Sequence, residues 1–212
     1  MTPNATILEL MRHHVLWPDE PIERVREWPD GVALTTPMRH FVAGSEPAGW
    51  AATRADWVTD LILATRDDLI VHGEPERFGF LLPANGAEIY LNDSEQLAEL
   101  GRRVPDQLDP IAYAELVVSF HTYSSAVRRV ITDPVTLYER YDPEDLPPVQ
   151  LPRLDRGDGT IVLTFAVSIE YRRPIVGELL DLSAWTVTIP GSRPARWESE
   201  LIAERIQPVG IG

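Results

Sequence analysis

The residue with the clearest potential for chemistry is His121, which lies in the segment Ser-Phe-His-Thr-Tyr at 119–123. Histidine changes its charge near neutral pH, so it can act as a general base when a carboxylate orients its ring. Asp133 and Glu170 are the carboxylates that neighbouring strands would bring to it. The alternative is an ordinary histidine on the less apolar face of a sheet. The chain contains no Gly-x-Ser-x-Gly motif, so the sequence does not predict a serine hydrolase.

Four residues are candidates for binding a small ligand: His121, Tyr123, Arg172 and Trp185. All four fall on predicted strands, and a curved sheet would gather them around one pocket. They combine aromatic surface with a titratable ring and a guanidinium, a mixture that small-molecule pockets use for binding and orientation. The alternative is that Trp185 and the other tryptophans fill the core. We predict no catalytic residue and no metal ligand among these side chains.

Two arginine pairs, Arg128-Arg129 and Arg172-Arg173, also lie on the predicted strands. If those strands are neighbours, the four guanidiniums can bind a carboxylate or a phosphate through paired hydrogen bonds. Alternatively, the arginines form surface ion pairs with nearby acidic residues. Those acidic residues are Asp133, Glu139, Glu170 and Glu178.

The composition excludes several classes of chemistry. The chain has no cysteine and no lysine, so all nineteen of its formal positive charges belong to arginine. It therefore has no disulfide, thiolate nucleophile, cysteine-ligated zinc or iron–sulfur cluster. It also lacks the lysine of a Schiff base or a P-loop. We expect no cofactor, and the residue types argue against an enzyme; the lysine deficit itself fits either GC-rich coding or adaptation to high salt.

The charge of the chain indicates which partners are excluded. A formal net charge of −14 repels nucleic acid phosphates and anionic membrane surfaces, so we expect neither as a direct partner. No apolar run approaches the roughly 18 residues that a membrane span needs. The first ten residues show no basic segment followed by an apolar run, so we expect no signal peptide. The predicted location is the cytoplasm, or a particle assembled there.

The elements that would position these residues lie mainly in the second half of the chain. Residues 160–172 alternate apolar and polar side chains, which is typical of a half-buried strand. Short connections between consecutive strands favour antiparallel pairing and hence a meander. The predicted strands are 111–123, 126–132, 135–141, 160–172 and 180–189, with a long exposed connection at 142–158.

The first half is predicted to be mixed. Helices are expected at 4–16, at 50–66 and from Asp93 or Ser94 to Arg103, with short strands at 32–36, 69–72, 78–82 and 88–91. Residues 196–206 fit both a strand and a helix. We favour the helix, because Pro194 suits a first-turn position and the segment is rich in helix-forming residues.

These elements predict one α+β domain over residues 1–212. Its mixed part would be 1–109 and its strand-rich part 110–212. A mainly antiparallel meander at about 110–190 would pack against the N-terminal helices and a C-terminal helix or strand.

The predicted function is that of a non-catalytic interaction or assembly protein, a subunit of a larger complex such as a phage head–tail or tail component. Long strands, proline-rich connections able to wrap a neighbour, and few reactive side chains favour it. Its partners would be proteins, in a homo- or hetero-oligomer. The alternative is a small-ligand-binding or hydrolytic α+β barrel with a pocket near His121. Nothing in the sequence identifies the ligand or the partner.

Overall fold

Antiparallel strands form most of the regular structure of this chain, and a few helices accompany them. The computed structural model describes residues 3–16, 19–36, 48–54, 61–71, 74–121, 126–173 and 176–209. The predicted fold class, α+β with an antiparallel meander, is confirmed. The residue contacts divide the chain into two compact units, with a boundary between Leu97 and Ala98. The sequence predicted the start of the strand-rich part near residue 110.

The first unit is a six-stranded antiparallel sheet in which every strand pairs with the next one along the chain. Its strands are β1 (Arg24–Trp28), β2 (Gly31–Thr36), β3 (Ala48–Arg54), β4 (Leu61–Val71), β5 (Glu74–Pro83) and β6 (Ile89–Tyr90). This consecutive order needs only short connections and no crossover.

One helix, α1 (Pro3–His14), covers one face of this first sheet. Its Ile7 and Met11 are four residues apart, so both point to the same side, and neither is exposed to solvent. They pack with Leu34, Trp50 and other side chains of the same sheet face. The predicted helix at 4–16 is therefore confirmed.

The predicted helix at 50–66 is wrong, because its described residues lie in β3 and β4. Trp50 and Ala52 are buried on one strand, and Ile62 and Ala64 are buried on the other. Their spacing of two residues places each pair on one sheet face, where α1 packs. Pairing with β2 and β5 overrides the helical spacing of the apolar residues.

The second unit holds the longest strands. Following α2 (Ser94–Leu100) at the boundary, its elements are a short 3-10 turn (Gly101–Arg103), α3 (Val104–Gln107), α4 (Pro110–Phe120), β7 (Val127–Val130), α5 (Val135–Tyr138), β8 (Arg153–Gly157), β9 (Thr160–Arg173), β10 (Gly177–Pro190) and β11 (Arg196–Ile206). The sheet order is β11-β10-β9-β7, and β8 pairs with β9 beside β7. A two-residue turn joins β8 to β9, with positive φ at Asp158 and Gly159, as a tight hairpin requires.

Each face of the second sheet packs against a different part of the chain. On one face, Phe165 of β9 lies opposite Trp185 of β10, and α4 packs against β7 and β9. On the other face, Ala166 and Leu182 pack against a cluster that includes Tyr141. Because side chains along a strand point alternately to the two faces of a sheet, successive residues of β9 contribute to these two packed faces in turn.

Three predictions for the second half of the chain are wrong in element type. Residues predicted as a strand at 111–123 form helix α4 as far as Phe120, because an apolar run buried on nearly all sides shows no clear period. Part of the predicted strand at 135–141 is the short helix α5. The favoured helix at 196–206 is strand β11, which pairs with β10 over almost its whole length.

Candidate functional site

His121 lies directly after the last turn of α4. Its backbone N–H donates to the carbonyl oxygen of Val117, so the helix itself fixes the position of this residue. The same helix starts with Asp109, whose carboxylate accepts hydrogen bonds from two backbone N–H groups of the first turn, and with Pro110 at its first position. The local sequence therefore sets both ends of the element that carries His121.

The side chain of His121 contacts a group of aromatic rings on the second sheet. Its ring centroid lies 4.8 Å from that of Trp185 and 6.5 Å from that of Trp197, edge to face in both cases. Trp185 in turn stacks with Phe165 across the strand pair, at 6.4 Å. The indole N–H of Trp185 donates to the hydroxyl of Ser183 at 2.9 Å, which fixes the indole ring. We call His121, Phe165, Trp185 and Trp197 the histidine–aromatic cluster.

The surroundings of His121 favour its neutral form. Burial of the ring lowers its pKa, and the positive charge of Arg128 lowers it further. Arg128 is half-buried on β7, and burial lowers the pKa of its guanidinium as well. The Nδ1 atom of His121 is buried and has no hydrogen-bond partner in the described residues. These surroundings favour the neutral imidazole over the charged one and leave its Nδ1 atom unpaired.

Neither carboxylate proposed as a partner for His121 forms a hydrogen bond with it in the described structure. Asp133 accepts a hydrogen bond from the backbone N–H of Val135. Glu170 is bound by Arg140 and lies on the sheet face opposite to Phe165. The two carboxylates therefore do not orient the imidazole as a general base requires.

The structure brings together two of the four residues proposed to bind a ligand. His121 and Trp185 are in contact, and Tyr123 lies outside the described residues. Arg172 is exposed near the end of β9, where its backbone lies opposite Glu178 of β10 in the strand register. It lies seven residues beyond Phe165 on the opposite face, about 23 Å along the strand.

Arg140, which the sequence did not single out, forms the main ion pairs of the second unit. One of its guanidinium nitrogens donates to both carboxylate oxygens of Glu170, and the other donates to Glu178, all at 2.9 Å. This fork attaches the segment after α5 to the second sheet. The paired hydrogen bonds to Glu170 raise the pKa of Arg140. No sequence signal distinguishes this arginine from the others.

A second group of aromatic residues lies on the α1-facing side of the first sheet. The rings of Trp50 and Phe80 are tilted by 36° with centroids 6.1 Å apart. Tyr90 stacks with Phe80 at 5.1 Å and with Phe78 at 6.4 Å. Arg66 lies over the Trp50 ring, 5.2 Å from its centroid. We call the four rings the aromatic patch. Its members belong to three strands, two of which were predicted incompletely or as a helix, so the sequence did not indicate the patch.

The opposite face of the first sheet has a shallow groove of about 620 Å³. The groove is lined by the small residues Ala33, Gly49 and Ala51 and, on β1, by Arg24 and Arg26. Both arginine side chains are exposed. The groove is open, and its small floor residues offer no buried polar group to orient a ligand.

Strand β11 forms one edge of the second sheet, since its only strand partner in the described structure is β10. Its register with β10 is regular from Arg196 to Leu201 and is interrupted by bulges nearer Ile206. Eight of the eleven residues of the strand are exposed, with Leu201 at 54% and Ile202 at 38%. The backbone groups on its outer side are therefore open to another strand.

Two further properties bear on function. Among the described residues, no group of three or more histidine, aspartate or glutamate side chains is arranged to hold a metal ion. Within the same part of the chain, no helix has the length and apolar character needed to cross a membrane.

Comparisons with protein-family models, with curated proteins and with solved structures found no match to this chain.

Proposed function

We propose that this protein is a non-catalytic interaction protein that binds an extended segment of a partner protein along the outer edge of β11. One observation carries the proposal: an eleven-residue edge strand whose side chains are exposed on both faces. Edge strands expose unpaired N–H and C=O groups, and folded proteins normally shorten, bend or cover them. An extended partner segment would satisfy these groups by adding a strand to the sheet.

The regular half of the strand is the part suited to this pairing. Between Arg196 and Leu201 the register with β10 has no shift, so the backbone groups on the outer side keep the spacing that a new strand needs. The bulges beyond Leu201 bend the remainder and limit the length of the partner strand. A segment of about six residues would fit.

The side chains of β11 indicate the chemistry of the partner. The strand exposes three acidic side chains and two basic ones. The acidic residues are Glu198, Glu200 and Glu204, and the basic residues are Arg196 and Arg205. Together with the net charge of −14, this favours a partner segment with basic residues. Leu201 provides an exposed apolar contact on the sheet face that carries Trp197. The partner segment would therefore alternate basic and apolar residues, and its binding would make the chain a subunit of a larger complex.

The test uses a labelled synthetic peptide of alternating arginine and valine, with fluorescence anisotropy as the binding measurement. The same peptide with N-methylated backbone amides is the matched control, because it keeps the charge but cannot complete a strand. We expect the first peptide alone to bind and to slow hydrogen exchange of β11 amides. Equal binding of the two peptides, or protection elsewhere without β11, would overturn the proposal.

A pair of charge reversals provides the second arm of the test. Glu198→Arg combined with Glu200→Arg should weaken binding of the basic peptide by about tenfold or more, because it turns attraction into repulsion. Asp155→Arg combined with Asp158→Arg, on the β8–β9 hairpin, makes the same change in net charge at another exposed site. If the hairpin variant loses as much affinity as the β11 variant, net charge and not the edge strand explains binding.

The buried Nδ1 of His121 favours a second candidate, small-ligand binding at the histidine–aromatic cluster. A ligand hydroxyl can pair with this nitrogen while an aromatic body packs on the neighbouring indole rings. Phenol combines both properties and serves as the probe. It should shift the ring resonances of His121 in wild-type protein, and the Trp185 indole signal should no longer respond in His121→Phe. The absence of a saturable shift would reject this candidate.

A further inference from the structure

Three polar residues lie in neighbouring positions on the α1-facing side of the first sheet. Trp50 of β3 pairs with Leu34 of β2 on one side and with Arg66 of β4 on the other. Thr36 follows Leu34 by two residues, so it shares this face and is a diagonal neighbour of Trp50, about 7–8 Å away. The sheet register thus places the indole residue on β3 between the hydroxyl residue on β2 and the guanidinium residue on β4.

Each of the three residues has a buried polar atom without a hydrogen-bond partner in the part of the chain that the structure describes. The atoms are Oγ1 of Thr36, Nε1 of Trp50 and Nε of Arg66. Thr36 is fully buried and Trp50 is only 4% exposed. Buried polar groups in folded proteins are almost always paired, so three unpaired ones on one face of three consecutive strands need an explanation.

The chemistry of the three groups specifies what is missing. The indole N–H and the guanidinium N–H can only donate, and the threonine hydroxyl can donate as well. The set therefore requires an acceptor. Because the arginine guanidinium carries a positive charge, an anionic oxygen suits it better than a neutral carbonyl.

The surroundings limit the charge and the shape of the ligand. Arg66 lies between Trp50 and Phe78 in the strand register, within the aromatic patch. One negative charge would neutralise Arg66, whereas a doubly charged phosphate would leave net negative charge among aromatic rings. Phe78, Phe80 and Tyr90 are only half-buried, so their faces are partly accessible to an apolar body.

We infer that Thr36, Trp50 and Arg66 form a binding site for the carboxylate of a small ligand whose apolar or aromatic body packs on the aromatic patch. The three donors hold the two carboxylate oxygens, with Arg66 supplying the charge. The site lies in the first unit and shares no residue with β11, so it stands independently of the proposed function.

The direct test is an NMR titration of the wild-type protein, in which Trp50→Phe assigns the Trp50 indole N–H signal. Benzoate is the carboxylate probe, benzamide is the uncharged probe of the same shape, and inorganic phosphate is the doubly charged anion. We expect benzoate to shift the Trp50 indole and the Arg66 Nε–H signals saturably, with benzamide and phosphate binding at least about tenfold more weakly. The inference fails if benzoate leaves both signals unchanged, or if either other probe binds as tightly.

Variants separate the individual donors. Arg66→Met keeps the aliphatic stem and should weaken benzoate binding by about tenfold or more. Thr36→Val has the same shape without the hydroxyl and should weaken binding by a few-fold. Arg26→Met, on the other face of the same sheet, is the matched control and should bind benzoate like the wild type. Equal losses in the Arg26 and Arg66 variants would overturn the assignment.

Discussion

The imidazole ring of His121 meets the indole ring of Trp185 edge to face, with centroids 4.8 Å apart and planes at 86°. His121 caps α4, and Trp185 belongs to the central pair of strands in the second sheet. The contact therefore joins the helix to the sheet through a residue that can change its charge. A proton on the imidazole would place a partly buried cation near the cation of Arg128.

Protonation of His121 is accordingly predicted to destabilise the second unit. Its pKa in the folded protein lies below the ordinary value of 6.5, so between these two pKa values the unfolded chain binds more protons than the folded one. The free energy of unfolding is then highest above pH 6.5 and falls as the pH decreases through the folded pKa. Titration of the ring resonances by NMR and urea unfolding across this range measure both effects.

A variant without the titrating ring isolates this contribution. His121→Phe keeps an aromatic side chain against Trp185 and should remove this part of the pH dependence. His13→Gln, at the exposed end of α1, should keep it. A folded pKa at or above 6.5, or an unchanged slope in His121→Phe, would contradict the expectation.

The Arg140 fork is predicted to stabilise the second unit to a modest extent. Arg140→Met keeps the aliphatic stem and should lower the free energy of unfolding by about 1 kcal/mol, because solvent screens a guanidinium that is 42% exposed. Arg153→Met is the matched control: Arg153 pairs with Asp155 in an exposed position, and its loss should cost less than about 0.5 kcal/mol. A double-mutant cycle with Glu170→Gln measures the pairing itself, and a coupling energy near zero would contradict the prediction.

Strand periodicity predicted the centre of the second unit well. The alternation in residues 160–172 corresponds to β9, which extends to Arg173, and the strand predicted at 180–189 lies within β10. One face of β9 packs against α4, and the same face of β10 contacts His121 through Trp185. The other face of both strands packs against different side chains, and each strand still shows enough alternation to be recognised. Long paired strands thus leave a clear local signal.

Helix α4 shows where that signal fails. Seven of its eleven residues are buried, so the apolar run has no polar face to reveal a helical period. The capping signal was nonetheless present, since Asp109 followed by Pro110 is a typical start of a helix. In this segment the capping residues indicate the helix better than the apolar run does, and they place His121 near its end.

The aromatic patch and the Trp50–Arg66 contact depend on strand register. Trp50 and Arg66 are sixteen positions apart in sequence and meet only because β3 and β4 pair antiparallel. A helix over the same residues would place them on different turns, so the error in element type concealed the site. Local composition does not determine register, which depends on which residues a strand buries on one face and on turn geometry; here the buried face packs against α1.

The last prediction compares two tyrosines of the second unit that differ in their hydrogen bonds. The Tyr141 hydroxyl is buried without a hydrogen-bond partner in the described residues, and burial raises its pKa. The Tyr171 hydroxyl donates to Asp181 at 3.0 Å. Removing an unpaired buried hydroxyl relieves its desolvation cost, whereas removing a paired one leaves Asp181 with one donor fewer.

Tyr141→Phe should therefore raise the free energy of unfolding by up to about 1 kcal/mol, and Tyr171→Phe should lower it by about 1 kcal/mol. The two variants remove the same atom from the same residue type, so each is the control for the other. Arg140 lies over the Tyr141 ring at 5.6 Å, and phenylalanine keeps that contact. Urea unfolding of both variants measures the difference, and a destabilised Tyr141→Phe would show that its hydroxyl is paired after all.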